Sequence, residues 1–170
     1  VETDIMAPGA LEALARGRQA VINLVGILHG DFERVHAELP RRVVGACRAN
    51  GVGRLLHMSA LGASPSAPSE YLRTKAMGER AALDAADLAV TAFRPSVIFG
   101  PEDAFLNTFA ALARAFPVLP IACPQARFQP VYVADVAQAM SRALDDRSTH
   151  GKTYELCGPR QYALKELVEL

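Results

Sequence analysis

The chain has 170 residues, 51% of them hydrophobic, and equal numbers of acidic and basic side chains give it a formal net charge of +0. This length suits one domain with a substantial core. A neutral chain with few aromatic residues lacks the basic surface of a nucleic-acid-binding protein, and no apolar run is long enough to span a membrane. Cys47, Cys123 and Cys157 are scattered, which predicts reduced thiols and no metal site.

Short apolar runs alternate with helical patterns through the first part of the chain. The runs that read as buried parallel strands are Ala20–Val25, Leu55–Ser59 and Ala89–Phe93. Strands that alternate with helices predict an α/β fold, in which helices cover both faces of a parallel sheet.

The helical patterns of this part cover residues 9–16, 32–49 and 69–86. Pro40 lies inside the second pattern and predicts a kink or a restart there, because proline cannot donate a backbone hydrogen bond. Asn50 and Gly51 follow its last turn and predict the end of the helix.

Prolines interrupt the chain after Gly100. We expect a helix over residues 104–116, then an irregular proline-rich stretch and a short strand over residues 129–133. A helix over residues 134–144 follows, with Asp135 in its first turn as a capping residue. A strand over residues 153–157 and a final helix starting near Ala163 complete the predicted elements.

Tyr71 and Lys75 are the most informative pair in the sequence. They lie four positions apart at the start of the third predicted helix, so both side chains share one helix face at the end of a strand. A nearby ammonium favours the phenolate, which predicts a lowered pKa for Tyr71 and an acid/base role. Lys75 also has donors for the hydroxyls of a ribose. A Tyr-x-x-x-Lys match arises by chance in roughly one chain of this size in ten. The functional interpretation of the pair therefore depends on the motifs around it.

Those motifs resemble, in order and spacing, the extended or atypical short-chain dehydrogenase/reductase superfamily, which includes the NAD-dependent epimerase/dehydratase-like proteins. Within it they are similar to the branch of the nucleotide-binding accessory subunit of respiratory complex I and its bacterial relatives. The resemblance covers essentially the whole chain. Its motifs are Asp4-Ile5, Asn23 to Gly26, Ser59 to Ala63, Tyr71 with Lys75, Arg94 to Gly100, Phe99 to Asp103 with Phe105 and Asn107, and Gln129 to Ala137.

The resemblance implies a role for each matched residue. Tyr71 would be the catalytic acid/base, with Lys75 as its partner and Ser59 as a third catalytic residue. The cofactor-binding residues would be Asp4 and Ile5 at the adenine, Leu24, Val25 and Gly26 along the cofactor, Tyr71 and Lys75 at the ribose, and Pro95, Ser96 and Val97 at the nicotinamide end.

Other interpretations of these side chains stay open. Asn23 could only satisfy a strand end, and Ser59 could hydrogen-bond its own loop. Arg94 is interpreted as structural, and Arg127 either binds an anionic substrate group or is solvated. His57 is interpreted as a hydrogen-bonded core histidine.

Two positions depart from the superfamily pattern. Ala60 holds the place where a catalytic Ser or Thr is expected, with Ser59 one residue early. Loss of one such donor lowers rates on the order of a hundredfold or more. Val97 replaces the Asn that is common in sugar-nucleotide enzymes. Both departures weaken the case for a sugar epimerase.

The sequence thus predicts an NAD(P)-binding protein with NAD or NADP as cofactor. It is either an oxidoreductase acting by hydride transfer or a non-catalytic accessory module in which the cofactor is structural, with a cofactor-free scaffold as a third alternative. An unknown small molecule would be the substrate. We expect a location in the cytoplasm or peripherally on the cytoplasmic face of a membrane, in association with a membrane complex. Oligomerisation stays open.

Residues 1–100 are interpreted as the C-terminal part of a dinucleotide-binding domain, and residues 101–170 as part of a substrate-side region. No G-x-G-x-x-G phosphate-binding turn occurs in the sequence. We therefore expect the chain to be a fragment of a longer polypeptide that is truncated at both ends.

Overall fold

The computed structural model of the chain describes residues 3–101, 103 and 123–168. The described elements form two compact units. The first unit comprises residues 1–94 and 140–155, and the second comprises residues 95–139 and 156–170. The predicted helix over residues 104–116, with Phe105 and Asn107, lies outside the described residues.

The first unit contains a parallel sheet, as predicted. Its described strands are β1 (Ala20–Asn23), β2 (Arg54–Met58), β3 (Ala89–Pro95) and β7 (Lys152–Leu156), in the spatial order β1-β2-β3-β7. Strands β1, β2 and β3 pair in parallel, with Asn23 opposite His57 and His57 opposite Ala92. Because the three strands run in parallel, their carboxyl ends meet at one edge of the sheet.

Helices cover one face of this sheet through an apolar core. These helices are α1 (Ala10–Ala15), α2 (Leu39–Ala49) and α3 (Glu70–Leu83). Leu55 of β2 and Val90 of β3 pack against Leu39 and Val43 of α2 in the core cluster. Fully burying aliphatic side chains of this size stabilises a fold by about 1.5–3 kcal/mol each.

On the opposite face, the buried guanidinium of Arg54 connects the sheet to α4 (Val133–Asp145). It donates to the carbonyls of Ala89, Ala143 and Leu144 and to the hydroxyls of Thr91 and Thr149. Helices on both faces are therefore confirmed, and one buried side chain satisfies the carboxyl end of α4.

The second predicted helix restarts before Pro40, as expected. Residues Glu33–Glu38 form a π-helix, in which the N–H of Leu39 donates to the carbonyl of Arg34, and α2 follows directly. Since Pro40 has no N–H to offer the carbonyl of His36, regular α-helical bonding cannot pass through this point. The helix then ends as predicted, at Asn50 and at Gly51 with a φ of 67°.

Ser69 begins α3 as a side-chain N-cap. Its hydroxyl accepts from the N–H of Leu72 at 3.2 Å. Such a cap stabilises a helix by about 1 kcal/mol relative to alanine. The cap fixes where the first helical turn begins, and Tyr71 and Lys75 lie in that turn and the next.

The second unit contains two small pairs of strands. Strand β4 (Ile98–Phe99) pairs in parallel with β6 (Val131–Tyr132), and β5 (Arg127–Phe128) pairs antiparallel with β8 (Tyr162–Ala163). Helix α5 (Leu164–Val168) follows β8. Among the described residues, no helix combines the length and apolar character needed to cross a bilayer.

Candidate functional site

Tyr71 and Lys75 lie on one face of α3, as their spacing predicts. The Nζ atom of Lys75 donates to the carbonyl of Met58, at the end of β2, over 2.7 Å. The residue is only 4% exposed, so a charged group is held inside the protein at the carboxyl edge of the sheet.

Gly26 faces the same ammonium from the segment after β1. A Cβ atom placed on Gly26 would lie 3.6 Å from Lys75 Nζ and 3.8 Å from His36 Nε2. A Cβ there would be in ordinary van der Waals contact with both groups, and the glycine leaves this space beside the ammonium open. The predicted geometry, with the Tyr/Lys face turned towards the strand ends, is confirmed.

His36 belongs to this cluster, although no motif in the sequence singled it out. It lies in the π-helix and is 2% exposed. The N–H of Ile27 donates to its Nε2 at 3.0 Å, and its Nδ1 lies 3.2 Å from the hydroxyl of Thr74. Its ring meets that of Tyr71 edge-on, with 5.2 Å between centroids. No signal in the sequence identifies His36 as part of the site, because its contacts with residues 71–75 depend on how the two helices pack.

Asn23, His57 and Ser59 form a second polar layer at the same strand ends. The amide Nδ2 of Asn23 donates to His57 Nδ1 at 3.2 Å, and its Oδ1 accepts from the N–H of Val25. Asn23 thus satisfies the backbone at a strand end, which is one of the two interpretations offered for it.

His57 is buried as predicted, but the expectation that it is fully hydrogen-bonded is wrong. Within the described part of the chain, His57 Nε2 and Ser59 Oγ have no hydrogen-bond partner. Both residues are almost fully buried, at 2% and 3% exposure. Buried polar atoms without a hydrogen-bond partner are uncommon, and a bound water, ion or ligand is one explanation for them.

Burial dominates the protonation of the cluster. It raises the pKa of Tyr71. The prediction that Lys75 lowers the pKa of Tyr71 is therefore wrong. Removing the phenol from water disfavours the phenolate, and this effect dominates. Burial and the charge of Lys75 lower the pKa of His36 to about 4 and that of His57 to about 3. Both imidazoles are therefore neutral near physiological pH.

The ammonium of Lys75 titrates only slightly above neutral pH. Burial lowers its pKa to about 8, and the carboxylate of Glu79 opposes that effect. Glu79 lies one turn further along α3 and is held by Arg94, whose two nitrogens donate to its carboxylate at 2.9 and 2.7 Å. Arg94 is thus structural, as interpreted, and it anchors α3.

The residues predicted at the adenine and along the cofactor lie near β1, the outer strand of the described sheet. Asp4 is exposed and its Oδ1 accepts from the N–H of Met6, while Ile5 packs against the core cluster. Ile5 and Val25 line a groove of about 360 Å³, and Leu24 is 58% exposed beside it. Their contact with a cofactor stays a prediction.

Pro95, Ser96 and Val97 belong to the second unit. The N–H of Ser96 donates to the carbonyl of Leu156, and the carbonyl of Val97 accepts from the N–H of Val131, both at 2.9 Å. These bonds join the three-residue segment to neighbouring strands. Its role at the nicotinamide end stays a prediction.

The cluster has the chemistry that a nucleotide cofactor requires. Lys75 directs an ammonium to the edge of the sheet where ligands of parallel α/β folds bind. Gly26 leaves its backbone accessible next to that ammonium, since a Cβ would project there. Lys75 and Gly26 therefore fit the ribose of a nucleotide cofactor, and their contact with one stays a prediction.

The sheet order and the polar cluster at its strand ends define a Rossmann-type α/β protein. Comparison with known proteins places it more narrowly, because residues 1–157 match the NAD dependent epimerase/dehydratase family. The chain belongs to this family.

Relatives of known name support the same placement. The chain is 37% identical over 175 residues to the mitochondrial NADH dehydrogenase [ubiquinone] 1 alpha subcomplex subunit 9 of Mus musculus, and 38% identical over 168 residues to that of Arabidopsis thaliana. These matches cover 99% and 95% of the chain but only 46% and 42% of the relatives. The chain thus spans less than half the length of these relatives.

Solved structures show the same fold. A dTDP-glucose 4,6-dehydratase from Streptomyces venezuelae, crystallised with NAD bound, superposes with a TM-score of 0.85 at 20% identity. The match covers 99% of this chain and 61% of the dehydratase. At this identity the likeness concerns the fold alone.

Proposed function

We propose that the natural gene product containing this chain is an NAD(H)- or NADP(H)-binding protein in which the dinucleotide is mainly a structural ligand. Lys75 holds the ribose hydroxyls, and the backbone at Gly26 lies against the cofactor. The observation that carries this proposal is the buried ammonium of Lys75, 3.6 Å from the place where a Cβ of Gly26 would stand. When bound, a nicotinamide cofactor supplies hydride chemistry.

The free-energy cost of burying the ammonium of Lys75 supports a ligand-binding role for this residue. An ammonium that is 4% exposed, and whose pKa has fallen to about 8, is retained at the expense of folding free energy. Strained or costly groups of this kind cluster at functional sites. A ribose offers acceptors for the remaining N–H groups of the ammonium.

Two features favour a structural cofactor over turnover. The pKa of Tyr71 is raised by burial, so its phenol exchanges a proton less readily near neutral pH. Ala60 is buried where the superfamily pattern places a hydroxyl, so the carbonyl of a substrate would lack that donor. The names of the mouse and Arabidopsis relatives agree with an accessory role in a NADH dehydrogenase assembly.

An oxidoreductase is the second candidate function. The observation that favours it is the shared helix face of Tyr71 and Lys75 at the strand ends, with Lys75 fixed on Met58. In that case Tyr71 is the acid/base, Lys75 its partner, and Ser59 a hydroxyl one residue before the expected position. The substrate would be a small carbonyl or alcohol compound.

Calorimetric titration of the natural gene product with NADH and NADPH tests the proposal. Lys75→Ala removes the ribose-binding ammonium and is expected to weaken binding by about 1–3 kcal/mol. Tyr71→Phe keeps the ring and is expected to leave the affinity nearly unchanged. Lys152→Ala removes an exposed lysine on β7 and is the matched control. Equal affinity for wild type and Lys75→Ala would show that the cofactor does not contact Lys75.

The same preparations distinguish the two candidate functions. Incubation with a panel of carbonyl compounds is expected to give little oxidation of the bound cofactor, and Ala60→Ser is expected to raise any trace of turnover. Brisk turnover by the wild type that Tyr71→Phe abolishes would establish the oxidoreductase instead.

Association with a membrane complex is the corresponding proposal for partners and location. The family relatives named above are subunits of a NADH dehydrogenase. The gene product would then be held peripherally at a membrane by its partner subunits.

A further inference from the structure

His36 connects three parts of the candidate site that come from distant positions in the sequence. It lies in the π-helix Glu33–Glu38, packs beneath the segment after β1, and faces the first turns of α3. The π-helix brings the carbonyl of His36 against Gly78 of α3, where an added Cβ would collide with it. The position of the imidazole is therefore set by two elements at once.

Hydrogen bonds fix the tautomer of His36. The N–H of Ile27 donates to Nε2 at 3.0 Å, so Nε2 carries no proton. Nδ1 therefore carries it and donates to Thr74 Oγ1 at 3.2 Å. That hydroxyl in turn donates to the carbonyls of Glu70 and Tyr71, at 2.9 and 3.0 Å. Each ring nitrogen is thus occupied, and neither is free to exchange a proton with a substrate.

The ring of His36 also restrains the ring of Tyr71. The two rings meet at an interplanar angle of 88°, with centroids 5.2 Å apart, which is the favoured edge-to-face arrangement. Phe32 stacks on the imidazole, with its centroid 5.4 Å from that of His36. The phenol of Tyr71 consequently has few orientations open to it.

We propose that His36 is a positioning residue of the candidate site. As a neutral Nδ1–H imidazole, it holds the backbone at Gly26 and Ile27 in the conformation that receives the cofactor, and it fixes the ring of Tyr71 beside Lys75. This inference rests on the proposed function for the identity of the ligand. The direct bond from the N–H of Ile27 to the imidazole is the contact through which this role would act.

Nitrogen NMR of histidine in the natural gene product tests the tautomer without any cofactor. The expected result is a neutral Nδ1–H ring whose shifts stay constant as the pH is changed from about 8 to about 5. The lowered pKa of about 4, caused by burial and by the charge of Lys75, agrees with this expectation. An Nε2–H tautomer, or titration near the ordinary pKa of histidine, would overturn the proposal.

Two variants separate positioning from stability. His36→Phe keeps an aromatic ring but loses both hydrogen bonds, and it is expected to weaken NADH binding about tenfold. His36→Gln can accept from Ile27 and donate to Thr74, so its affinity is expected to stay within about threefold of wild type. Val90→Ala destabilises the core away from the cluster and serves as the control for loss of stability alone.

The outcomes are decisive in each direction. Weakened binding by His36→Phe, with near-normal binding by His36→Gln and Val90→Ala, supports the proposal. If His36→Phe binds NADH as well as Val90→Ala does, the proposal is wrong. Should the wild type bind neither NADH nor NADPH, the proposed function fails. In that case the carbon NMR signals of the Tyr71 ring still test the positioning role: they must shift in His36→Phe and be restored in His36→Gln.

Discussion

The ammonium of Lys75 costs the unliganded fold free energy. In the unfolded chain its pKa is near 10.5, whereas burial lowers it to about 8 in the folded state. Below about pH 8 the group is charged in both states, so the folded state carries the full cost of burying it. Between these two pKa values the unfolded state binds more protons, and stability therefore rises with pH.

We predict that Lys75→Met increases the free energy of unfolding by on the order of 1–3 kcal/mol at about pH 7. The gain comes from removing a buried charge, and it is reduced by the loss of the bond to the carbonyl of Met58. It should shrink as the pH rises through about 8 towards 10.5, where the lysine is neutral in both states. Denaturant unfolding at several pH values measures this.

Lys152→Met provides the control for Lys75→Met, because Lys152 is exposed and its charge stays in water in either state. Its substitution is expected to change stability near neutral pH by no more than about 0.5 kcal/mol, because the side chain is on the surface. A loss of stability by Lys75→Met near neutral pH would contradict the argument. It would mean that the interactions of the ammonium with Met58 and Glu79 outweigh its desolvation.

Individual residues of the site were predictable where spacing alone determines the geometry. Tyr71 and Lys75 share a face because of helical periodicity, and Gly26 follows a strand whose carboxyl end is placed by the parallel sheet. His36 was not predictable, because its contact with Tyr71 depends on the packing of the π-helix against α3. The raised pKa of Tyr71 was also missed, since burial is a tertiary property.

At the level of elements, the contact between the π-helix and α3 requires a glycine. Gly78 is buried in α3, and a Cβ there would overlap the carbonyl of His36 and lie 2.9 Å from Cγ of Pro40. Because Pro40 lacks an N–H, that carbonyl has no α-helical partner and projects towards the neighbouring helix. The proline and the glycine thus act together to bring the two helices close.

Gly78→Ala is therefore predicted to destabilise the protein by about 1–3 kcal/mol or more, through overpacking of backbone atoms that cannot move aside. Gly45→Ala is the matched control, because Gly45 lies in the exposed face of α2 with open space around it. That change should be neutral or stabilising, by up to about 1 kcal/mol, since alanine is the better helix former. Thermal unfolding measures the stability of both variants. Equal changes in stability for Gly78→Ala and Gly45→Ala would falsify the packing argument.

The main elements were predictable from the sequence because each is long enough for its period to be read. Pro40 also marked the helix restart correctly. Strands β4, β5 and β8 were missed, since each has two residues and no pattern can be recognised over so short a run. The strand predicted over residues 129–133 shortens to Val131–Tyr132, and the helix that follows begins at Val133.

On the scale of the whole molecule, β1 is the outer strand of the described sheet, and apolar side chains in and directly after it are exposed to solvent. Ile22 of β1 is 43% exposed, and Leu24, which follows the strand, is 58% exposed. Sheet edges with apolar side chains are ordinarily covered or paired in stable proteins. The mouse and Arabidopsis relatives are more than twice as long as the part that this chain matches.

The last prediction concerns how much of a dinucleotide this chain can bind by itself. Lys75 and Gly26 provide contacts for a ribose, but the 170 residues contain no G-x-G-x-x-G turn. In dinucleotide-binding folds, the pyrophosphate is held by the helix N-terminus that follows such a turn. We expect the 170-residue chain to bind NADH with a dissociation constant above about 1 mM.

Calorimetric titration of the 170-residue chain, after its folding has been verified by a cooperative unfolding transition, measures this directly. Lys75→Ala in the same chain is the control, because weak residual binding through the ribose should disappear with the ammonium. Micromolar binding by the folded chain would mean that the pyrophosphate is held within these residues. The exposed backbone around Gly26, beside the ammonium of Lys75, would then be the first place to seek its contacts.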